Sequence, residues 1–359
     1  MGQTPYSPIF QLTRGDTVES IHYGSVAVSD ATGRLVAWYG DPETITFLRS
    51  SAKPFQLLPF ITHGGQSYFH LTPREVALMA ASHSGTDEHV AVIEGIQQKT
   101  GVSESELMCG VHPPGDAATL EALRERNEEP TPNRHNCSGK HTGMLAYVHM
   151  RQGVELPSGA EMDYIDPSHP IQKEILETFA EMCALPATQV HLGTDGCSAP
   201  NFAVPLKNAA TGFARLCDPV TGNVQPPERL AACQVIVSSM MFNPDMVAGP
   251  GRFDTRLMEV GQGRIVSKGG AEGYQAIGLL PDALGPGSPA LGIAFKISDG
   301  DPKGRARPAV ALEILRELGA LSPTQLDMLA DFGPDFPVEN WREIKVGWAS
   351  PCFNLQRNP

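Results

Sequence analysis

Ser25-Val26-Ala27-Val28 and Leu35-Val36-Ala37-Trp38 flank Asp30-Ala31-Thr32-Gly33 near the start of the chain. Two short apolar runs about a turn signal read as a β-hairpin. A comparable signal returns far downstream, at 264–267, 274–280 and 291–298, each a short apolar run bounded by Gly, Pro or Asp. Between these ends the pattern is mostly helical. Thr72-Pro73-Arg74-Glu75 is a capping box with Pro at the first helical position. Further helices are expected over 88–99, 139–150, 170–182 and 227–241, interrupted by one short strand at 189–193 that runs into Thr194-Asp195-Gly196-Cys197. A Leu- and Glu-rich helix at 309–318 and a capped start at Ser322-Pro323-Thr324-Gln325 follow. Strands at both ends that pair into one antiparallel sheet, with helices packed on it, make an α+β architecture. The expectation is a single catalytic unit over 1–359, with strands about 18–40 and 260–300 and a helical block about 50–245.

Composition bounds the function classes. Of 359 residues, 41% are hydrophobic and 19% charged, enough apolar material to exclude wholesale disorder. The formal net charge of −13 repels polyanions, so no nucleic-acid partner is expected. No apolar stretch approaches the roughly 18 residues of a membrane span, so no membrane partner is expected. The start, Met1 to Pro8, lacks a charged and then apolar leader. The cysteines (Cys109, Cys137, Cys183, Cys197, Cys217, Cys233 and Cys352) are odd in number and irregularly spaced. They read as reduced thiols of a cytoplasmic protein.

Four short motifs carry possible chemistry. In Arg49-Ser50-Ser51-Ala52-Lys53-Pro54, Ser50 stands three residues before Lys53. On a helix the two share a face, and a neutral lysine amine can take the hydroxyl proton and activate the serine. The plain alternative is a Ser N-cap and a solvated Lys. Ser82-His83-Ser84-Gly85, at the expected end of the helix opened by Thr72, and Ser267-Lys268-Gly269-Gly270, closing a late strand, are ordinary helix and strand ends when taken singly. Taken in order, the three follow the S-x-x-K, S-D-N, K-T-G succession of serine β-lactamases and penicillin-binding proteins, with Ser84 in place of Asn and Gly269 in place of Thr. The fourth motif is Asn136-Cys137-Ser138-Gly139-Lys140-His141, with Cys197 further on. Two thiols and an imidazole in Gly-rich turns suit zinc, but without a C-x-x-C the motif taken alone reads first as buried, inert thiols.

Together these motifs, with His135 and Ser198-Ala199-Pro200, resemble the rhizobial-type (class 3) L-asparaginases of the asparaginase II family, from about residue 22 to 300. The resemblance implies a fold like that of serine β-lactamases and glutaminases, and a homodimer. It implies two Ser/Lys pairs, Ser50 with Lys53 and Ser82 with Lys268, and an acidic site residue, Asp195. It also implies a zinc site of Cys137, Lys140 and Cys197 completed by water, one ion per chain. Arg49 and His141 are the expected substrate contacts, Arg49 because a guanidinium binds an α-carboxylate bidentately.

The expected reaction is hydrolysis of L-asparagine to L-aspartate and ammonia. One serine attacks the side-chain amide while a neutral lysine accepts its proton and returns it to the departing ammonia. Zinc held by thiolates is expected to orient substrate or hold loops rather than activate water. The competing readings are a serine β-lactamase or peptidase-like acyl transferase and, in another class, a non-catalytic amino-acid-binding protein.

Overall fold

The runs 25–28 and 35–38 of the N-terminal hairpin are apolar apart from Ser25, and they pair as the pattern requires. The structure, a computed structural model, describes residues 5–151 and 163–357; the first four residues, read above for a leader, lie outside them. The chain divides into two compact units.

The first unit comprises Met1–Ser51, Val204–Asn223 and Arg256–Pro359. It is built on a nine-stranded sheet whose pairings are all antiparallel. Across the sheet the main path runs Phe336–Glu339, Lys345–Pro351, Ser7–Arg14, Thr17–Asp30, Leu291–Ile297, Tyr274–Leu279 and Ile265–Gly269. Leu35–Tyr39 pairs with Thr17–Asp30 as the hairpin predicts, with Ala27 opposite Trp38. Terminal strands therefore do share one sheet, and the class is α+β. The sheet is larger than the strand ranges 18–40 and 260–300. Ser7–Arg14 escaped the reading because bulges at Pro8/Phe10 and Leu12/Thr13 break its alternation. Phe336–Glu339 and Lys345–Pro351 have mostly half-buried or exposed side chains, so hydrophobic patterning hardly marks them.

Leu206–Cys217 is a helix of this same unit, lying on the central strands. Its sequence, LKNAATGFARLC, is rich in small residues, and the sheet beneath answers with glycines. A Cβ at Gly292 would lie 1.8 Å from Ala210 O and 2.6 Å from Ala214 N. Helix backbone thus rests directly on strand backbone, which only glycine permits.

The second unit comprises Ala52–Ala203 and Val224–Thr255 and is mainly helical. Its centre is the helix Lys53–Thr62, of which every residue from Lys53 to Ile61 is buried. Helices Ser138–Met150, Pro170–Met182 and Pro227–Phe242 pack around it. Phe55 meets Phe179 edge-on at 5.6 Å, and Phe179 stacks on Phe202 at 4.6 Å. The Thr72 capping box is present, with Thr72 accepting from Glu75 N–H and Glu75 accepting from Thr72 N–H. That helix ends at Met79, so 82–85 lie in irregular backbone beyond it. No helix among the described residues is long and apolar enough to cross a membrane.

Gly292→Ala should cost about 1–3 kcal/mol of stability, because neither backbone can retreat without losing its own hydrogen bonds. Thermal unfolding checks this against Gly95→Ala, a helix-interior site where the added methyl meets only an ordinary contact at 3.7 Å. Equal midpoints for the two variants would refute the close approach.

Candidate active site

Lys53 is the first residue of its helix and is 1% exposed. A lysine amine so placed must find acceptors. Its Nζ donates to Ala81 O at 2.5 Å, to Ser82 Oγ at 2.8 Å and to Asn136 O at 3.1 Å. The acceptors come from two loops, one following the helix Pro73–Met79 and one preceding Ser138–Met150. Both loops are braced. Ser82 N–H donates to Val247 O at 2.9 Å, and Ser84 Oγ donates to Ala248 O at 2.7 Å. His83 Nδ1 accepts from Gly85 N–H, which leaves the proton on Nε2 to donate to Ser138 Oγ at 3.0 Å. Burial, then the neighbouring His89 and Lys53 charges, hold His83 well below the usual histidine range, so it stays neutral. On the other loop, Asn136 N–H donates to His112 Nε2 at 3.2 Å and Cys137 N–H to His135 Nδ1 at 3.0 Å.

One turn into the Ser138–Met150 helix lies a second buried cluster. Lys140 Nζ donates to Cys197 Sγ at 2.8 Å, and Cys197 Sγ approaches Asp195 Oδ2 at 3.9 Å. Cys137, Lys140 and Cys197 are each under 5% exposed. Cys197 sits in the tight turn from His191–Thr194 to Pro200–Pro205, closed by Asp195 N–H to Ala199 O and by Ser198 at φ +71°. The two thiols are hydrogen-bonded to each other. The bond from Cys197 holds the Cys137 thiol low; that same bond and burial push Cys197 high. Burial pulls the Lys140 amine down, but the thiolate charges of Cys197 and Cys137 outweigh it and raise it. Two soft sulfur donors and one amine converging in a dry site fit zinc. No group of three or more His, Cys, Asp or Glu side chains suited to a metal occurs among the described residues; this donor set reaches three through its lysine.

The other expected residues fall as follows. His141 is fully buried, with Nδ1 2.7 Å from Tyr164 OH and Nε2 enclosed without a partner among the described residues. In the first unit, Arg49 and Ser50 are half-buried in the 3-10 turn Arg49–Ala52, and Arg49 takes a left-handed φ of +52°. Such a conformation costs a non-glycine residue roughly 1–2 kcal/mol. Lys268 is 1% exposed on Ile265–Gly269, and its carbonyl accepts from Ser51 Oγ at 2.6 Å. A Cβ at Gly270 would lie 2.5 Å from Leu48 O, so glycine lets residues 48–51 seat against 268–270.

Sequence reasoning missed the carbonyls of Ala81 and Asn136, which no residue type announces, and the segment 244–255. Its Gly249-Pro250-Gly251 run was the available signal.

Solved structures with a similar layout include a Bacillus glutaminase at high salt (11% identity over 82% of this chain and 90% of that one, TM-score 0.37). Another is a Bacillus subtilis glutaminase in covalent complex with 5-oxo-L-norleucine (11% identity, 83% and 88%, TM-score 0.38). No curated protein matches the sequence. The profile of L-asparaginase II, in contrast, matches residues 10–351, nearly the whole chain. The chain belongs to the L-asparaginase II family, a family of amidohydrolases.

Proposed function

We propose that the protein is an L-asparagine amidohydrolase of the rhizobial type (class 3), acting as a cytoplasmic homodimer and binding one zinc ion per chain. The observation that carries the reading is the buried Lys53 amine, 2.8 Å from the Ser82 hydroxyl and held by two carbonyls. The geometry serves both protonation states. As an ammonium, Lys53 donates to all three acceptors. As a neutral amine, it keeps its two N–H bonds to Ala81 O and Asn136 O and turns its lone pair to Ser82 O–H. Proton transfer then needs no rearrangement of the surrounding backbone.

The chemistry follows. A serine hydroxyl gives its proton to neutral Lys53 as its oxygen bonds to the amide carbon, and the 2.8 Å contact supports Ser82 as that serine. The carbonyl electrons move to oxygen. When the tetrahedral adduct collapses, the C–N bond breaks and Lys53 returns the proton to the departing nitrogen, releasing ammonia. Water, deprotonated by the same amine, hydrolyses the ester and restores the serine. Ser50 and Lys268 remain proposed members of the two Ser/Lys pairs, with Asp195 as the acidic group and Arg49 and His141 as substrate contacts. Cys137, Lys140 and Cys197 would hold the zinc ion, which would supply a fixed positive charge for orienting a polar substrate or bracing the loops.

Lys53→Ala and Ser82→Ala should each lower turnover of L-asparagine at least a hundredfold with the fold intact. Because the two act as one unit, the double variant should be little worse than the worse single. Ammonia release from asparagine, glutamine and β-aspartyl dipeptides, beside a nitrocefin assay, reads this. Wild-type rates in Lys53→Ala, nitrocefin turnover without ammonia release, or asparagine binding without turnover would each displace the proposal.

An amine accepts a proton only when neutral. Activity should therefore climb from mildly acidic toward alkaline pH, and a flat profile would remove lysine from the role of base.

Metal-replete protein should contain about one zinc per chain, and Cys197→Ser should lose it. Thiolate and amine donors must shed protons to bind, so occupancy should fall on acidification. Chelation should raise KM more than it lowers kcat. Metal analysis with kinetics before and after chelation checks this, and loss of turnover at saturating asparagine with the fold intact would move zinc into the chemical step.

A further inference from the structure

We infer that Arg252 recognises the α-carboxylate of the substrate, an inference that rests on the amidohydrolase reading above and names a specificity residue for it. The segment that carries Arg252 is fastened to the stretch that carries Ser82. Ser82 N–H donates to Val247 O, and Ser84 Oγ donates to Ala248 O. Gly249 stands at φ +124°, and a Cβ there would lie 2.3 Å from Ser84 Oγ, so the Gly249 backbone abuts the Ser84 side chain where glycine fits. Thr255 Oγ1 lies 2.7 Å from Gly249 O and 3.0 Å from Pro244 O, and Arg252 N–H donates to Gly249 O at 3.3 Å, closing the loop. The backbone that carries Arg252 is thereby tied to the stretch that carries Ser82.

The guanidinium itself is uncommitted. It is exposed and makes no ion pair or side-chain hydrogen bond with any described residue, in a chain with 40 acidic and 27 basic residues. Arg74, Arg134 and Arg151 of the same unit all pair with carboxylates. Its Nη1 lies 3.7 Å from the point where a Gly115 side chain would begin, and Ser84 Cα lies 3.8 Å from that same point. The guanidinium and the Ser84 backbone thus face each other across a gap about one methyl group wide at Gly115. Ser84 is two residues beyond Ser82, so at most about 7 Å of chain separates them, the order of length of a small amino acid. A substrate whose amide meets Ser82 can reach Arg252 with a carboxylate, which a guanidinium fork binds bidentately.

The test compares wild type, Arg252→Gln, Arg252→Lys and Gly115→Leu on L-asparagine and on L-asparaginamide, whose α-carboxylate is replaced by a neutral amide. The expected result for Arg252→Gln is a KM for L-asparagine raised at least tenfold with kcat within threefold, and unchanged kinetics on the neutral amide. Arg252→Lys should recover part of the loss. Gly115→Leu, which overfills the methyl-sized gap between the guanidinium and Ser84, should reproduce it without replacing the arginine. A KM for L-asparagine unchanged in Arg252→Gln, or raised equally for both substrates, overturns the inference. Calorimetric binding of L-aspartate separates this from the reading it rests on. If wild type binds L-aspartate without hydrolysing asparagine, the amidohydrolase reading fails while a tenfold weaker Kd in Arg252→Gln still supports Arg252. An unchanged Kd there, or a wild type that does not bind L-aspartate, overturns it.

Discussion

Burying one ammonium without a counter-charge would cost several kcal/mol, and Lys53 is 1% exposed. The helical unit is arranged to meet that demand. Two backbone carbonyls and a hydroxyl surround Nζ, so the first residue of the central helix fixes two loops otherwise free to wander. The bracing of those loops, by Val247 O and Ala248 O on one side and by His112 and His135 on the other, follows from the same requirement. A carbonyl that turned away would leave a buried donor unsatisfied. The site's rigidity is thus a property of hydrogen-bond accounting around one nitrogen.

Residue type and spacing made part of this legible. Thr72 and Glu75 form the capping box their spacing predicts, and 170–182 is a helix with the expected ends. Local signals sufficed there because caps and amphipathic faces are written within one turn. Ser7–Arg14, Phe336–Glu339 and Lys345–Pro351 were not legible, since their partners are distant and bulges or exposure blur their period. Leu206–Cys217 was missed for a different reason: its face is made of Ala, Thr and Gly, and its fit depends on Gly292 far along the chain.

At the site, Lys53 and Ser82 were picked out by type, but each was expected to work with a different partner, Ser50 and Lys268. The contact between Lys53 and Ser82 could not be read from a separation of 29 residues. Nor could the carbonyls of Ala81 and Asn136, because every residue has one. The chemistry-bearing side chains were visible in the sequence, whereas the groups that tune them belong mostly to the backbone.

The thiol–amine cluster obeys the same accounting with charges in place of dipoles. Cys137, Cys197 and Lys140 are too buried to be solvated, so each is stabilised by the others: a thiolate at Cys137 by the Cys197 thiol, and the Lys140 ammonium by both sulfurs. Protons hold this set together in the absence of an ion, and any cation that enters must displace them. The exchange is favourable only for an ion that binds sulfur strongly, the ground on which zinc is proposed there over magnesium or calcium.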